Sequence, residues 1–184
     1  MLAQAARPAR FPGISPNCRD TGHRDNQITI RRAVEVDQAA ITALVRLERL
    51  NPTDLDWRRF WVAVYGPEVV GAAQLRQHPD SSCEVSSLVV GRSHRHQGVA
   101  SRLLDALLTD AAPECYLVTG TALAEYYGQW GFQRTSVVRA PRCIRKNYWL
   151  GQVGGFVISC IRKRKPRRLV VLHRVSATAV AVQA

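Results

Sequence analysis

The sequence predicts an α/β domain, and three observations carry that prediction. Short β-type runs alternate with amphipathic helical patterns between residues 27 and 175. Two of those runs, Arg59–Val64 and Val69–Leu75, flank the turn Tyr65-Gly66-Pro67-Glu68 as a hairpin. From Cys83 to Leu108 the chain reads as strand, glycine-bearing basic loop and helix.

In chain order, Gln27–Ala33 alternates apolar and basic residues as a first strand. Asp37 can cap a helix that runs to about Leu50, with Ile41, Leu44, Val45 and Leu47 on its buried side. Asn51-Pro52-Thr53 ends it, and the hairpin comes next. His78-Pro79-Asp80-Ser81-Ser82 turns into the strand Val85–Val90, which breaks at Gly91. Val99, Leu103, Leu104, Leu107 and Leu108 then line one face of a helix. Cys115–Thr119 reads as a short buried strand, Ala122–Trp130 as a helix stopped at Gly131, and Gln133–Val138 and Arg168–Val175 as strands. The order is β-α-β-β-β-α-β-α-β, closed by the last strand.

Between strand and helix, Arg95-His96-Gln97-Gly98-Val99-Ala100 forms a distinctive loop. The first N–H groups of a helix have no partner within it, and the helix dipole favours an anion there. A glycine at position 98 lets the backbone approach a phosphate closely. Neither of the usual nucleotide-loop patterns, G-x-x-x-x-G-K-S/T or G-x-G-x-x-G, is present. The loop therefore predicts a phosphate cradle of another kind.

Arg95-x-x-Gly98-x-Ala100 matches the pattern Arg/Gln-x-x-Gly-x-Gly/Ala, and Tyr127-Gly128-Gln129-Trp130-Gly131-Phe132 matches Tyr-x-x-x-Gly-Phe downstream. On these motifs and the strand between them, the chain resembles the GNAT superfamily of acyl-CoA-dependent N-acetyltransferases from about Ile28 to Val138, with a closing strand near Arg168–Val175. The resemblance implies a mixed, mostly antiparallel sheet flanked by helices, with a splayed central strand pair that admits the acyl-CoA arm. It implies direct transfer of an acetyl group from acetyl-CoA to a primary amine, with no metal. Backbone amides of Arg95, His96, Gln97, Gly98, Val99, Ala100 and Ser101 would grip the diphosphate. Leu88, Val89 and Val90 would present main chain to the pantetheine arm, and the Leu88 N–H would polarise the thioester carbonyl.

Two residues are candidates for proton transfer. Glu84 occupies the place of the catalytic glutamate in histone-acetylating members, and near Val85 and Leu88 it could accept the amine proton directly or through water. It reads equally as a salt-bridged strand residue. Tyr127 matches the tyrosine that protonates the departing thiolate; a phenol near its ordinary value of about 10 suits that step. The alternative for Tyr127 is an aromatic that anchors its helix. Arg95 would add charge to the grip, or stand as an ordinary exposed arginine. Asp54 and Asp56 could bind an amine or cap a short helix. Cys83 beside His94 or His96 lacks a third group to orient a nucleophile, and the two histidines lack further ligands for a metal.

Composition sets the remaining bounds. At 184 residues, 46% hydrophobic and 22% charged, the chain suits one globular domain at 27–175, with disordered tails at 1–26 and 176–184. Five cysteines, odd in number and without C-x-x-C pairing, suggest free thiols in a reducing, cytoplasmic setting. No apolar run reaches the roughly 18 residues that a membrane span needs. Residues 1–125 carry as many acidic as basic residues, whereas residues 126–184 carry 12 basic and none acidic. Residues 139–174 could therefore meet an anionic surface or nucleic acid. This makes a non-catalytic module that binds RNA or anionic membrane the alternative to an enzyme. Within that region, 140–167 reads as a basic and apolar insertion. Tyr148–Ile161 is too short to span and is weakened as a helix by three glycines, so it either lies at a lipid interface or packs on the domain and shapes the acceptor pocket.

Overall fold

A computed structural model describes residues 27–48, 50–161 and 168–175. Seven strands form one sheet: β1 Thr29–Arg32, β2 Phe60–Tyr65, β3 Glu68–Gln77, β4 Cys83–Val90, β5 Glu114–Gly120, β6 Gln133–Thr135 and β7 Leu169–Val175. Their spatial order is β1-β2-β3-β4-β5-β7-β6, and only β4 and β5 pair in parallel. Four helices cover it: α1 Gln38–Leu47, α2 Val99–Thr109, α3 Ala124–Gly128 and α4 Arg142–Ile161. This is the mixed, mostly antiparallel α/β architecture the sequence predicts. The expected tails and the basic run 162–167 lie outside the described residues.

Alternation along the strands divides the core into two layers. On one face, Ala73, Cys83, Val85, Cys115, Leu117 and Leu172 pack on Leu103, Leu104 and Leu107 of α2 and on Tyr127 of α3. On the other, Phe60, Val62, Ala72 and Val89 pack on Ile41 and Val45 of α1. Farther along that face, Tyr116 and Val171 pack on Ile144 of α4.

Two irregularities in β4 set the geometry of the central sheet. Ala72 pairs with Val89 and Gln74 with Ser86, so Ser87 and Leu88 together stand opposite Ala73. Ser87 takes φ +53° to make this bulge, which reverses the facing of every residue after it. In addition, β4 and β5 pair only at Glu84–Tyr116 and Val85–Leu117, near their N-terminal ends. Beyond Val85 the strands part.

Local readings differ from the structure in four places. Asp37 does not cap α1; it sits in a 3-10 turn, Glu35–Asp37, where its carboxylate accepts the Val34 N–H at 2.8 Å and pairs with Arg31 at 2.7 Å. A partner six residues back along the chain outcompetes the helix end. Leu47 is 69% exposed, because a helix places it two residues, or about 200°, beyond Val45. The helix expected at 122–130 is shorter, with a 3-10 turn before Ala124, and the strand expected at 133–138 ends at Thr135 in a second such turn, Val137–Arg139.

The largest correction is α4, twenty residues of helix through a segment whose glycines argued against one. Tertiary contacts override that propensity. Ile144 is fully buried, Tyr148 packs beside it, and the Gln152 carboxamide accepts the Leu169 N–H at 3.2 Å. A Cβ on Gly151 would stand 2.8 Å from Leu169 Cδ1, so α4 and β7 are in close contact here and a larger residue would make the Leu169 side chain shift. At the N-terminus the Asp80 carboxylate accepts the Cys143 N–H at 3.0 Å, and it also takes the Ser82 hydroxyl at 2.6 Å. These bonds, the Ser82 hydroxyl first, hold the Asp80 carboxyl well below its ordinary value of 3.8. A value depressed on folding contributes stability at neutral pH that is lost as pH falls through the acid range. Asp80→Ala should therefore cost about 1 kcal/mol at pH 7. Urea titrations repeated toward about pH 3 should show the gap to wild type closing; a gap independent of pH would mean the charge is irrelevant to the cap.

Candidate active site

Where β4 ends, Gly91 leads through a 3-10 turn, Arg92–His94, into the loop before α2. His96 at φ +62° and Gly98 at φ +74° turn the backbone so that the loop wraps the helix N-terminus. The first intrahelical bond runs from Arg102 N to Gly98 O at 3.0 Å, which leaves the N–H groups of Val99, Ala100 and Ser101 ahead of the helix ladder. Those of His96, Gln97 and Gly98 also find no acceptor among the described residues. A Cβ built on Gly98 would meet no atom within 4 Å, so the space beside this glycine is open.

Arg95, expected to add charge to this cradle, points back into the protein. Its Nε donates to Val90 O at 3.0 Å and its Nη2 pairs with Glu48 at 2.7 Å. The side chain clamps the loop to the end of β4 and to the end of α1, and Glu48 compensates its charge. The anion-binding capacity therefore resides in backbone amides.

Leu88, Val89 and Val90 lie past the last β4–β5 pair, so their main chain borders the gap between those strands. Leu88, in the bulge, has no register partner on β3. Tyr127 is 6% exposed and lies edge-on to Tyr126 and Phe132. Burial, then the adjacent Tyr126, pushes its phenol up to about 12. It stays protonated across the neutral range and is a weaker acid than an exposed tyrosine. The Tyr126 hydroxyl, which the sequence left unassigned, stands 3.2 Å from Ser101 Oγ at the start of α2.

On the opposite face of the sheet, a buried polar cluster links the 51–56 loop to α4. Arg76 and Glu84 are register partners across β3 and β4, as are Gln74 and Ser86. Glu84 is 4% exposed, and its surroundings are polar rather than apolar. His78 Nε2 lies 2.7 Å and Asn147 Nδ2 2.8 Å from its Oε2, with Arg76 Nη1 at 4.0 Å from the same atom. Glu84 Oε1 has no hydrogen-bond partner among the described residues. The carboxylate is thus held by one oxygen and open at the other.

Gln74 is fully buried and ties the cluster to the loop, donating to Asp54 O at 2.6 Å and accepting from Arg76 at 3.2 Å. Arg76 also donates to Thr53 O at 3.1 Å. Neither acidic residue of the loop is unpaired. Asp54 pairs with Arg59 at 2.7 Å and Arg76 at 3.2 Å, and Asp56 accepts the Arg58 N–H as the cap of a 3-10 turn. Cys83 is buried, and that burial raises its thiol, which removes it as a nucleophile. Among the described residues no three metal-ligating side chains cluster.

The sequence reading named Glu84 but missed Gln74, Arg76, His78 and Asn147. The first three carried a signal: at positions i, i+2 and i+4 they place three polar groups on one face at and just beyond the end of β3. Asn147 carried none, since it reaches Glu84 only because α4 folds back over the sheet.

The model of the Acetyltransferase (GNAT) family matches residues 33–132, more than half of the chain. Among solved structures, the chain is similar to N-acetylglutamate synthase from Neisseria gonorrhoeae complexed with coenzyme A and N-acetyl-glutamate. The TM-score is 0.63 at 21% identity, over 81% of this chain and 35% of that one, so this chain spans about a third of that protein. It is similar to Rv2747 from Mycobacterium tuberculosis in complex with CoA and NLQ, at TM-score 0.60 and 20% identity, over 80% and 98% of the two chains. It is also similar to Ard1 from Thermoplasma volcanium, at TM-score 0.56 and 16% identity, over 81% and 97%. A search of curated proteins finds no match. The structural likenesses establish the fold, and with the family match over residues 33–132 they lead to one statement of kinship: the chain belongs to the GNAT acetyltransferase family.

Proposed function

We propose that this protein transfers an acetyl group from acetyl-CoA directly to a primary amine, with both reactants bound at once. The observation that carries this reading is the arrangement along β4. One end of the strand opens into a loop of unpaired amides, the middle borders a gap, and the other end presents a buried carboxylate open at one oxygen. CoA bound in two of the similar structures supports the choice of donor.

Each residue then has a task. The Arg95 N–H is taken by Arg92 O, so the amides from His96 to Ser101 hold the diphosphate as hydrogen-bond donors. The main chain of Val89 and Val90 aligns the pantetheine arm, and the bulge turns the Leu88 N–H toward the thioester oxygen. Glu84 Oε1 accepts the proton that the amine loses as its nitrogen attacks the carbonyl carbon. His78 and Asn147 hold Oε2 and so fix which oxygen faces the acceptor. When the C–S bond breaks, the Tyr127 phenol gives its proton to the departing sulfur so that CoA leaves as the thiol, and the phenolate takes a proton back from solvent. Holding the amine and thioester together supplies a large part of the rate gain.

The test combines two measurements. Acetyl-CoA should bind to the full chain in calorimetry, and a panel of amino acids, polyamines and short peptides should include one that releases CoA thiol in step with an acetylated product. Folded protein that gives no heat with acetyl-CoA would overturn the assignment and shift it to the non-catalytic binding module.

A further inference from the structure

The inner and outer faces of α4 differ sharply. Ile144, Asn147, Tyr148 and Gln152 turn toward the sheet, where they pack or hydrogen-bond. Arg142, Lys146, Trp149, Leu150 and Val153 form a stripe on the outside, at the spacing of successive helical turns. Trp149, Leu150 and Val153 are 60%, 59% and 61% exposed, so the apolar part of the stripe has no cover among the described residues. No acidic residue occurs anywhere from position 126 to the end of the chain.

We propose that this stripe docks the protein on an anionic lipid surface, with α4 lying in the plane of the interface. Charge complementarity selects the occupant. Arg142 and Lys146 continue the stripe and match anionic headgroups, while Trp149, Leu150 and Val153 enter the headgroup–acyl boundary. A nucleic acid would satisfy the two cations but leave three apolar side chains in water. A second copy of the chain would bury those side chains but set two basic stripes against each other. A bilayer with anionic lipid meets both requirements. Among the described residues no helix is long and apolar enough to cross a membrane, so α4 rests on the surface. The Glu84 cluster lies against the inner face of α4, opposite the stripe. The inference is independent of the acetyl-transfer reading.

Sedimentation of the full chain with phosphatidylcholine vesicles, with and without phosphatidylglycerol, tests it. The wild type should pellet with the mixed vesicles and stay in solution with phosphatidylcholine alone. The triple substitution Trp149→Ser, Leu150→Ser, Val153→Ser should weaken vesicle binding at least about tenfold, and Arg142→Gln with Lys146→Gln should weaken it most at low salt, the difference from wild type shrinking as salt is raised. Unchanged circular dichroism and thermal unfolding midpoints would show that the variants are folded. The proposal fails if the wild type ignores anionic vesicles, or if the triple variant binds them as the wild type does. It fails equally if the wild type is a dimer that the triple variant dissolves while neither binds lipid.

Discussion

Glu84→Gln is expected to lower the rate of acetyl transfer by about 10²–10⁴-fold while leaving acetyl-CoA affinity unchanged. The carboxamide is the same size as the carboxylate, and its oxygen can still accept from His78 and Asn147 at the Oε2 position. What it loses is a basic oxygen facing the acceptor, so the deficit should fall on kcat. The substitution also removes a buried negative charge beside Arg76, so circular dichroism must show the variant folded before its activity is compared. Measuring kcat and calorimetric CoA binding on the same preparation separates the two effects. A variant that retains wild-type kcat would remove Glu84 as the base and return it to the role of a strand ion-pair partner. Asn147→Ala, which frees Oε2 on one side only, should give a smaller fall, on the order of tenfold, in the same assay.

Gly98→Asp should abolish measurable acetyl-CoA binding, a loss of at least about 100-fold, or about 2.7 kcal/mol. Two effects act together. A non-glycine residue at φ +74° is strained by about 1 kcal/mol or more, and the new carboxylate would stand before the amides that take the diphosphate. The side chain projects into open space, where a Cβ meets nothing within 4 Å, so the fold should tolerate it. Gly98→Ala isolates the backbone contribution and should cost far less affinity than aspartate. If aspartate binds acetyl-CoA as the wild type does, the diphosphate is held somewhere other than this loop.

Much of this architecture is readable from residue order because the information is local. The strands of the hairpin, the helix after Gly98 and the loop between β4 and α2 each arise from periodicity or turn chemistry within about fifteen residues. The outer bounds were less readable. Asp37 is a good helix cap by type, yet Arg31 and the Val34 N–H claim it, and the segment from Val137 forms a turn where alternation suggested a strand. In both places the competing partners are close in the chain: Arg31 and Val34 lie six and three residues from Asp37, and the turn at Val137 closes through Arg139 N–H to Ser136 O and Ala140 N–H to Val137 O.

The candidate site divides along the same line. Residue order alone determined the α/β class, the amide-rich loop with its glycine at 98, and the presence of a carboxylate near the start of the strand leading to that loop. Those features depend on neighbours in the chain. The tertiary structure decided that Arg95 serves Glu48, that β4 and β5 separate after Val85, and that Asn147 and His78 hold one oxygen of Glu84 and leave the other open. It also decided that residues 142–161 form a helix in spite of their glycines. These outcomes rest on contacts between residues up to 63 positions apart, such as Asn147 with Glu84 and Cys143 with Asp80. Their free energy comes from burial and from satisfied polar groups, which no short stretch of sequence can supply by itself.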